Sequence, residues 1–173
     1  MSDKRIQPIL ERRSVRAFNG ENISENDINT LLEAAMAAPS ACCRDPWEFI
    51  VLTDREALAK AANALPNGKF LADAACGILV CGAEKDAHAQ SLSYLLQDCS
   101  AAIENILIAA RAIGYGTCWL GVHPRMERIE ELRAAFAIPA ETLVIGAVAV
   151  GKCDEFPESR SRFNVAKVHK NRW

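Results

Sequence analysis

Hydrophobic and polar positions along the chain fall into two rhythms: amphipathic stretches of helical period, and short unbroken apolar runs. The stretch from Asp98 to Gly121, DCSAAIENILIAARAIGYGTCWLG, combines both. Ile103, Ile106, Leu107 and Ala110 keep i, i+3, i+4 spacing, while Ala102, Ala109 and Ile113 fill much of the opposite face. Past Asp98 only Glu104 and Arg111 carry charge. A helix that is apolar almost all round must be buried, in a core or between subunits. Gly114 and Gly116 supply the unusual backbone that ends it, and Thr117, Cys118, Trp119 and Leu120 suit a short buried strand.

The rest of the pattern organises around this stretch. Ile6, Ile9 and Leu10 predict a short first helix. Ser24 with Asp27 makes a capping-box-like start, and Ile28, Leu31, Leu32, Ala35 and Met36 hold an apolar stripe until Pro39 ends the second helix. Glu48 to Leu52 reads as a strand; Thr53 or Asp54 then caps a third helix running to about Ala64, and Pro66-Asn67-Gly68 turns the chain. Ala75 to Gly82 reads as a second buried strand, followed by an exposed connection from Glu84 to Gln90. Pro124 stands at the start of an amphipathic helix carrying Met126, Ile129, Leu132 and Phe136, which Ile138-Pro139 ends. Thr142 to Gly151 is continuously apolar, as expected of a central strand buried on both faces. From Lys152 onward the tail is too poor in hydrophobes to fold alone, so it is expected to wrap over another surface such as a second subunit. Strands alternating with helices suit a doubly wound sheet, but two helices before the first strand suit an α+β sandwich equally well.

Length and composition narrow the classes. The 173 residues fit one domain, 1–173, with a sizeable core. An apolar fraction of 50% is above the soluble average and points to a large core or a large oligomer interface. A formal charge of −2 gives no reason to expect nucleic acid or an anionic membrane as partner. No apolar run approaches the roughly 20 residues of a membrane span, and the amino terminus lacks a signal-peptide core, so a cytoplasmic protein is the simplest expectation. Seven cysteines without a CxxC pair argue against a disulfide framework or a thiolate zinc site, and for a reducing compartment. Cys76, Cys81, Cys99 and Cys118 sit in apolar segments as small hydrophobes.

Compact catalytic motifs are missing. Gly114-x-Gly116 follows a helix, whereas a dinucleotide fingerprint follows a strand and opens a helix. Cys42 or Cys43 with His88, His123 or His169 shows no local signature of a nucleophilic pair, and the histidines lack the spacing of a metal site. Glu130-Glu131 and Glu155 with Glu158 read as surface charges. What remains is distributed along the chain. Arg12, Arg13 and Arg16 with Ser14 form either a donor cluster fit for phosphate or a solvated basic turn.

Taken in order, the ERRSVRAF opening, the APSxxxxxPW loop, the AAIENILIAARAIGYGTCWLG block, the strand ending VGK and the RSR segment before VHKNRW resemble the flavin-dependent nitroreductase family over nearly the whole chain. That resemblance implies an α+β fold with a mixed central β-sheet surrounded by helices. It also implies an obligate homodimer whose long central helices pack together, a C-terminal extension over the partner subunit, and FMN at the interface. By the same resemblance Arg12, Arg13, Ser14 and Arg16 would bind the flavin phosphate and the pyrimidine edge, and Arg160 and Arg162 would close over the phosphate. Pro39, Ser40 and Cys43 would lie along the ring from the other subunit. The backbone of Trp119, Leu120 and Gly121 would approach the ring with a main-chain N–H near N5. The implied reaction is ping-pong: NADH or NADPH passes hydride to N5 and leaves, and a nitroaromatic, quinone or related acceptor then takes its place. No catalytic side chain is required, because the cofactor carries the chemistry.

Two departures alter this picture. The family loop commonly reads PSxxNxQPW, and here Cys43 replaces the asparagine and Asp45 the glutamine. An ionised aspartate only accepts hydrogen bonds, and its charge near the ring would disfavour an anionic reduced flavin. The chain is also short for the family, so the substrate-covering segment between the second strand and the long helix is expected to be reduced and the site more open. The altered loop leaves two alternatives: a flavin-binding redox sensor or storage dimer with little turnover, and a thiol enzyme using Cys43.

Overall fold

Side-chain caps start two of the helices in the computed structural model, which describes residues 3–173. Ser24 Oγ accepts from the Asp27 N–H at 3.0 Å and opens α2 (Glu25–Met36), after a short α1 (Gln7–Glu11). Asp54, not Thr53, caps α3 (Arg55–Asn63) by accepting from the Ala57 N–H at 2.9 Å. The strands β1 (Trp47–Leu52), β2 (Cys76–Ala83), β3 (Gly116–Gly121) and β4 (Thr142–Gly151) form one sheet in the order β1-β2-β4-β3. Every neighbouring pair is antiparallel, which removes the doubly wound alternative. Among the described residues the one parallel pairing is a bridge from Ser14 to Thr117 on the outer edge of β3, where the Val15 N–H donates to Thr117 O at 2.8 Å.

Both faces of the sheet are covered. Cys76, Ile78, Val80, Val148 and Val150 pack with α2 and the long helix α4 (Leu92–Ala112). Leu79, Cys81, Ala147 and Ala149 belong to the opposite core, with α3 and α5 (Met126–Phe136). Alternate residues of β2 and β4 therefore enter different cores, and neither strand has a solvent face. That is why both read as continuous apolar runs although the sheet is antiparallel.

The long helix begins earlier than the apolar stretch suggests, at Leu92. One stripe is buried in the chain's own core: Leu95, Asp98, Cys99, Ala102, Ile103, Ile106, Leu107 and Ala110. Each fully buried isoleucine there contributes about 1.5–3 kcal/mol. Leu96, Ser100, Ala101, Ile108 and Ala109 are only half-buried, so a single chain does not complete the all-round burial expected. Other boundaries shift too. Pro124 lies outside α5, whose N-cap is Arg125, and α5 ends at Ala137 in the left-handed conformation with φ 52°. Trp119 is 38% exposed and Gly121 is exposed, so β3 is not a fully buried strand. Ile9 and Leu10 on α1, and Phe163, Val165, Val168 and Trp173 in the tail, all stand exposed.

The turn from α4 into β3 uses its two glycines differently. Gly114 takes φ +82°, the left-handed backbone that stops the helix. Gly116 has no such φ; a Cβ there would come within 2.8 Å of the Val15 side chain, so glycine admits the incoming N-terminal segment. Between them the Tyr115 hydroxyl donates to Asp27 Oδ2 at 2.8 Å, and Lys152 Nζ sits 4.1 Å from the Tyr115 ring centroid while donating to Gly114 O at 3.3 Å. Burial, then the Asp27 hydrogen bond, pushes the Tyr115 phenol up to about 12. Because the folded value lies above the ordinary 10, this stabilisation is complete below pH 10 and is lost as pH rises toward 12. Tyr115→Phe is expected to cost about 1 kcal/mol in urea unfolding at pH 7. The difference between wild type and variant should shrink between pH 10 and 12.

Candidate functional site

Trp119, Leu120 and Gly121 end β3 at the wall of a hollow of about 310 Å³. Three neighbouring features complete it. The Val15–Thr117 hydrogen bond lays the Arg13–Arg16 segment along β3 and delivers Arg16 to the rim. The Pro66-Asn67-Gly68 turn closes with the Gly68 N–H donating to Leu65 O at 2.7 Å, and a Cβ on Gly68 would collide with the Leu120 side chain. That contact seats Asn67 and Phe70 against the strand end. From α5, Arg128 donates to Gly121 O at 2.7 Å. A Cβ on Gly121 would meet nothing within 4 Å, so its backbone is open to the hollow. A second hollow of about 540 Å³ shares Trp119, Gly121 and His123 and runs to Leu96 and Ser100 on α4.

Electrostatics converge on the same strand. Burial raises the Cys118 thiol, while the Arg16 charge, the Ser14 hydroxyl and the Arg12 charge act in the opposite direction. Arg12 also pairs with Glu104 of α4 at 3.4 Å, and Arg13 is half-buried beside it. Cys76, Cys81 and Cys99 are pushed up to about 12, chiefly by burial, and so remain inert thiols.

Of the residues expected to bind a cofactor, Arg16, Trp119, Leu120 and Gly121 line the hollow, with Arg12, Arg13 and Ser14 alongside. Pro39, Ser40 and Cys43 do not line it. Their loop follows α2 and is pinned elsewhere, with the Ala41 N–H donating to Asp98 Oδ1 of α4 at 3.0 Å. Cys42, Cys43 and Asp45 all carry left-handed backbone, with φ of 54°, 52° and 48°. An asparagine tolerates that region better than a cysteine does. The Asp45 carboxylate accepts from the Ser40 hydroxyl, and the Asp45 N–H donates to Ser40 Oγ at 3.0 Å, so that charge is engaged within its own loop. Arg160 and Arg162 are exposed on the tail and do not line the hollow. Cys42 Sγ approaches His88 Nε2 at 4.0 Å. No group of three or more His, Cys, Asp or Glu among the described residues is arranged to hold a metal ion.

Sequence reasoning missed Asn67, Phe70, Arg125 and Arg128. Pro66-Asn67-Gly68 was legible as a turn, but only its contact with Leu120 makes it a wall. Arg125 as the N-cap and Arg128 in the first turn bring two guanidinium groups to the start of α5, a cluster that could have been read.

The model of the nitroreductase family matches residues 9–68 and 60–152. The chain belongs to the nitroreductase family. A relative from Archaeoglobus fulgidus, provisionally named NADH dehydrogenase/NAD(P)H nitroreductase, is 43% identical over 97% of this chain and 98% of its own length. The crystal structure of a protein of the same provisional name from Parabacteroides distasonis is 34% identical, with a TM-score of 0.91 over 99% of this chain and 100% of that one. A provisionally named nitroreductase from Desulfovibrio desulfuricans, solved in complex with FMN, is 27% identical, with a TM-score of 0.85 over 100% of this chain and 99% of that one. These matches agree with the helix-flanked sheet described above. No helix among the described residues is long and apolar enough to cross a membrane.

Gly146, opposite Gly121 on β4, leaves room for the Trp119 indole, into which a Cβ would collide. Gly146→Ala is expected to cost about 1–3 kcal/mol by overpacking. It should also shift the tryptophan emission as Trp119 leaves the wall, as checked by urea unfolding followed by fluorescence.

Proposed function

We propose that this chain is an FMN-dependent oxidoreductase that oxidises NADH or NADPH and reduces nitroaromatic, quinone or related acceptors. The observation carrying this reading is the hollow beside β3, in a nitroreductase-family chain, where an open glycine backbone meets Arg16, Asn67 and two aromatic walls. These residues fit FMN: Trp119, Phe70 and Leu120 suit a planar apolar ring, the Asn67 amide can both donate and accept, and the arginines suit its polar edge and phosphate. When bound, FMN supplies hydride chemistry at N5.

The protein's part is binding and orientation. Arg16 and Asn67 hold the pyrimidine edge. Arg128 fixes the peptide after Gly121 and so the angle at which that backbone meets the ring. Arg12, Arg13 and Ser14 hold the phosphate, and Arg160 and Arg162 close over it. Pro39, Ser40 and Cys43 reach the ring from a second subunit. Support for a homodimer comes from the half-buried face of α4 and the exposed Ile9, Leu10 and Met36, which a partner surface would cover. Donor and acceptor occupy the same place in turn, beside Trp119, Gly121 and His123, where the two hollows meet.

The purified protein should be yellow, bleach under anaerobic NADH or NADPH, and recover its colour with a quinone or nitroaromatic. A colourless protein that takes up no added FMN would refute the proposal, and bound flavin that resists bleaching would favour a sensor. Arg12→Ala and Arg162→Ala should each weaken FMN binding by about 2–5 kcal/mol. Unchanged flavin retention in both variants would remove the phosphate assignment.

A further inference from the structure

We infer that the hollow beside β3 contains a subsite for an anionic group on the second substrate, a phosphate or carboxylate, held by Arg125 and Arg128; this rests on the flavin reading above. The residues lining the hollow include Arg16, His123, Arg125 and Arg128 but no aspartate or glutamate. Arg12 and Arg111, which lie outside the hollow, are paired, with Glu104 at 3.4 Å and with Glu11 at 2.9 Å. Among the described residues no carboxylate lies within 4.0 Å of Arg16, Arg125 or Arg128. The concentration of positive charge is not inherited from the whole molecule, whose formal charge is −2. It is local, and it faces a concavity.

The cofactor does not account for all of it. Arg16 enters from the N-terminal segment, lies 6.0 Å from the Phe70 ring centroid, and serves the flavin edge in the reading above. Arg125 and Arg128 come from a different element, as the N-cap and an early residue of α5. Arg128 uses Nη1 on Gly121 O and keeps its remaining N–H groups. The Arg125 side chain has no hydrogen-bond partner among the described residues. Arg125 is exposed and Arg128 half-buried, and the two guanidinium groups at the start of α5 form donor forks that match phosphate and carboxylate oxygens. The carboxylates of the same helix, Glu127, Glu130 and Glu131, are exposed and do not line the hollow. An anion on the nicotinamide donor, such as a 2′-phosphate, and an anion on the acceptor share this chemistry.

Calorimetry on the flavin-loaded protein separates the two sources with two matched pairs, NADP⁺ against NAD⁺ and 4-nitrobenzoate against 4-nitrobenzyl alcohol. Flavin content is read independently from the visible spectrum. In at least one pair the anionic member should bind about tenfold more tightly or better, and Arg125→Gln should reduce that ratio about tenfold, the effect of losing one charge-assisted hydrogen bond. Arg125→Glu should reverse the preference. A response in the first pair assigns the phosphate of the donor; in the second, a carboxylate on the acceptor. Ratios near one in both pairs of the wild type, or a ratio untouched by Arg125→Glu, would overturn the inference while leaving the flavin reading intact. Loss of flavin in the Arg125 variants would also overturn it, by moving that arginine into the cofactor site. A wild type that holds no flavin fails the underlying reading first.

Discussion

The burial of α4 is the constraint on which the other elements depend. Its stripe from Leu95 to Ala110 packs on the strands β2 and β4, and through them sets which residues of the sheet face each core. The helix stops at Gly114 because that residue takes a backbone few others adopt, and β3 then starts at the sheet edge at a fixed distance from the helix end. Tyr115 and Lys152 tie this junction to α2 and to the end of β4. The strand end at Gly121 is therefore placed by the same packing that stabilises the domain, and a site built there inherits the rigidity of the core.

Glycines bring the neighbouring walls together for steric reasons. Gly116 admits Val15, and so brings the arginine segment alongside β3; Gly68 admits Leu120, and so brings Asn67. In both places a missing Cβ converts a turn or strand residue into a contact between segments far apart in sequence. The chemistry of the hollow follows from these approaches: donors arrive from the N-terminal segment, the turn after α3 and the start of α5, while β3 contributes mostly backbone.

Much of the fold could be read from residue patterns because local rules and tertiary packing agree. Ser24 and Asp54 cap the helices they should, Pro39 follows the end of α2, and the run from Thr142 to Gly151 is the doubly covered strand that its continuous apolar pattern predicts. Periodicity alone did not choose between a parallel and an antiparallel sheet, since strands buried on both faces read the same either way. It also placed the start of α4 too late, because Gln97 and Asp98 interrupt the apolar run between Leu92–Leu96 and the later turns of the same helix. The site was less legible. The arginines and the β3 end came from the resemblance, but Asn67, Phe70 and Arg128 are brought to the hollow by the Gly68–Leu120 approach and the Arg128–Gly121 hydrogen bond, and no local pattern encodes a contact across that separation.

Asp98 shows how the two ends of α4 are coupled. It is a carboxylate 5% exposed in an otherwise apolar stripe, with Oδ1 accepting from the Ala41 N–H and Oδ2 without a partner among the described residues. A buried carboxylate with one oxygen unsatisfied costs stability, so its presence is not explained by the core. What it does is hold the loop from Ser40 to Asp45 against the first half of the helix, despite the left-handed backbone that loop must adopt. The second half of the same helix fixes β3. In the proposed dimer, where α4 packs on its own copy, the Ser40 loop of one subunit is carried to the β3 end of the other by a single rigid rod. The geometry between cofactor walls from different chains then depends on helix packing, not on loop flexibility, and the strain at Cys42, Cys43 and Asp45 is held in place by the anchor at Asp98.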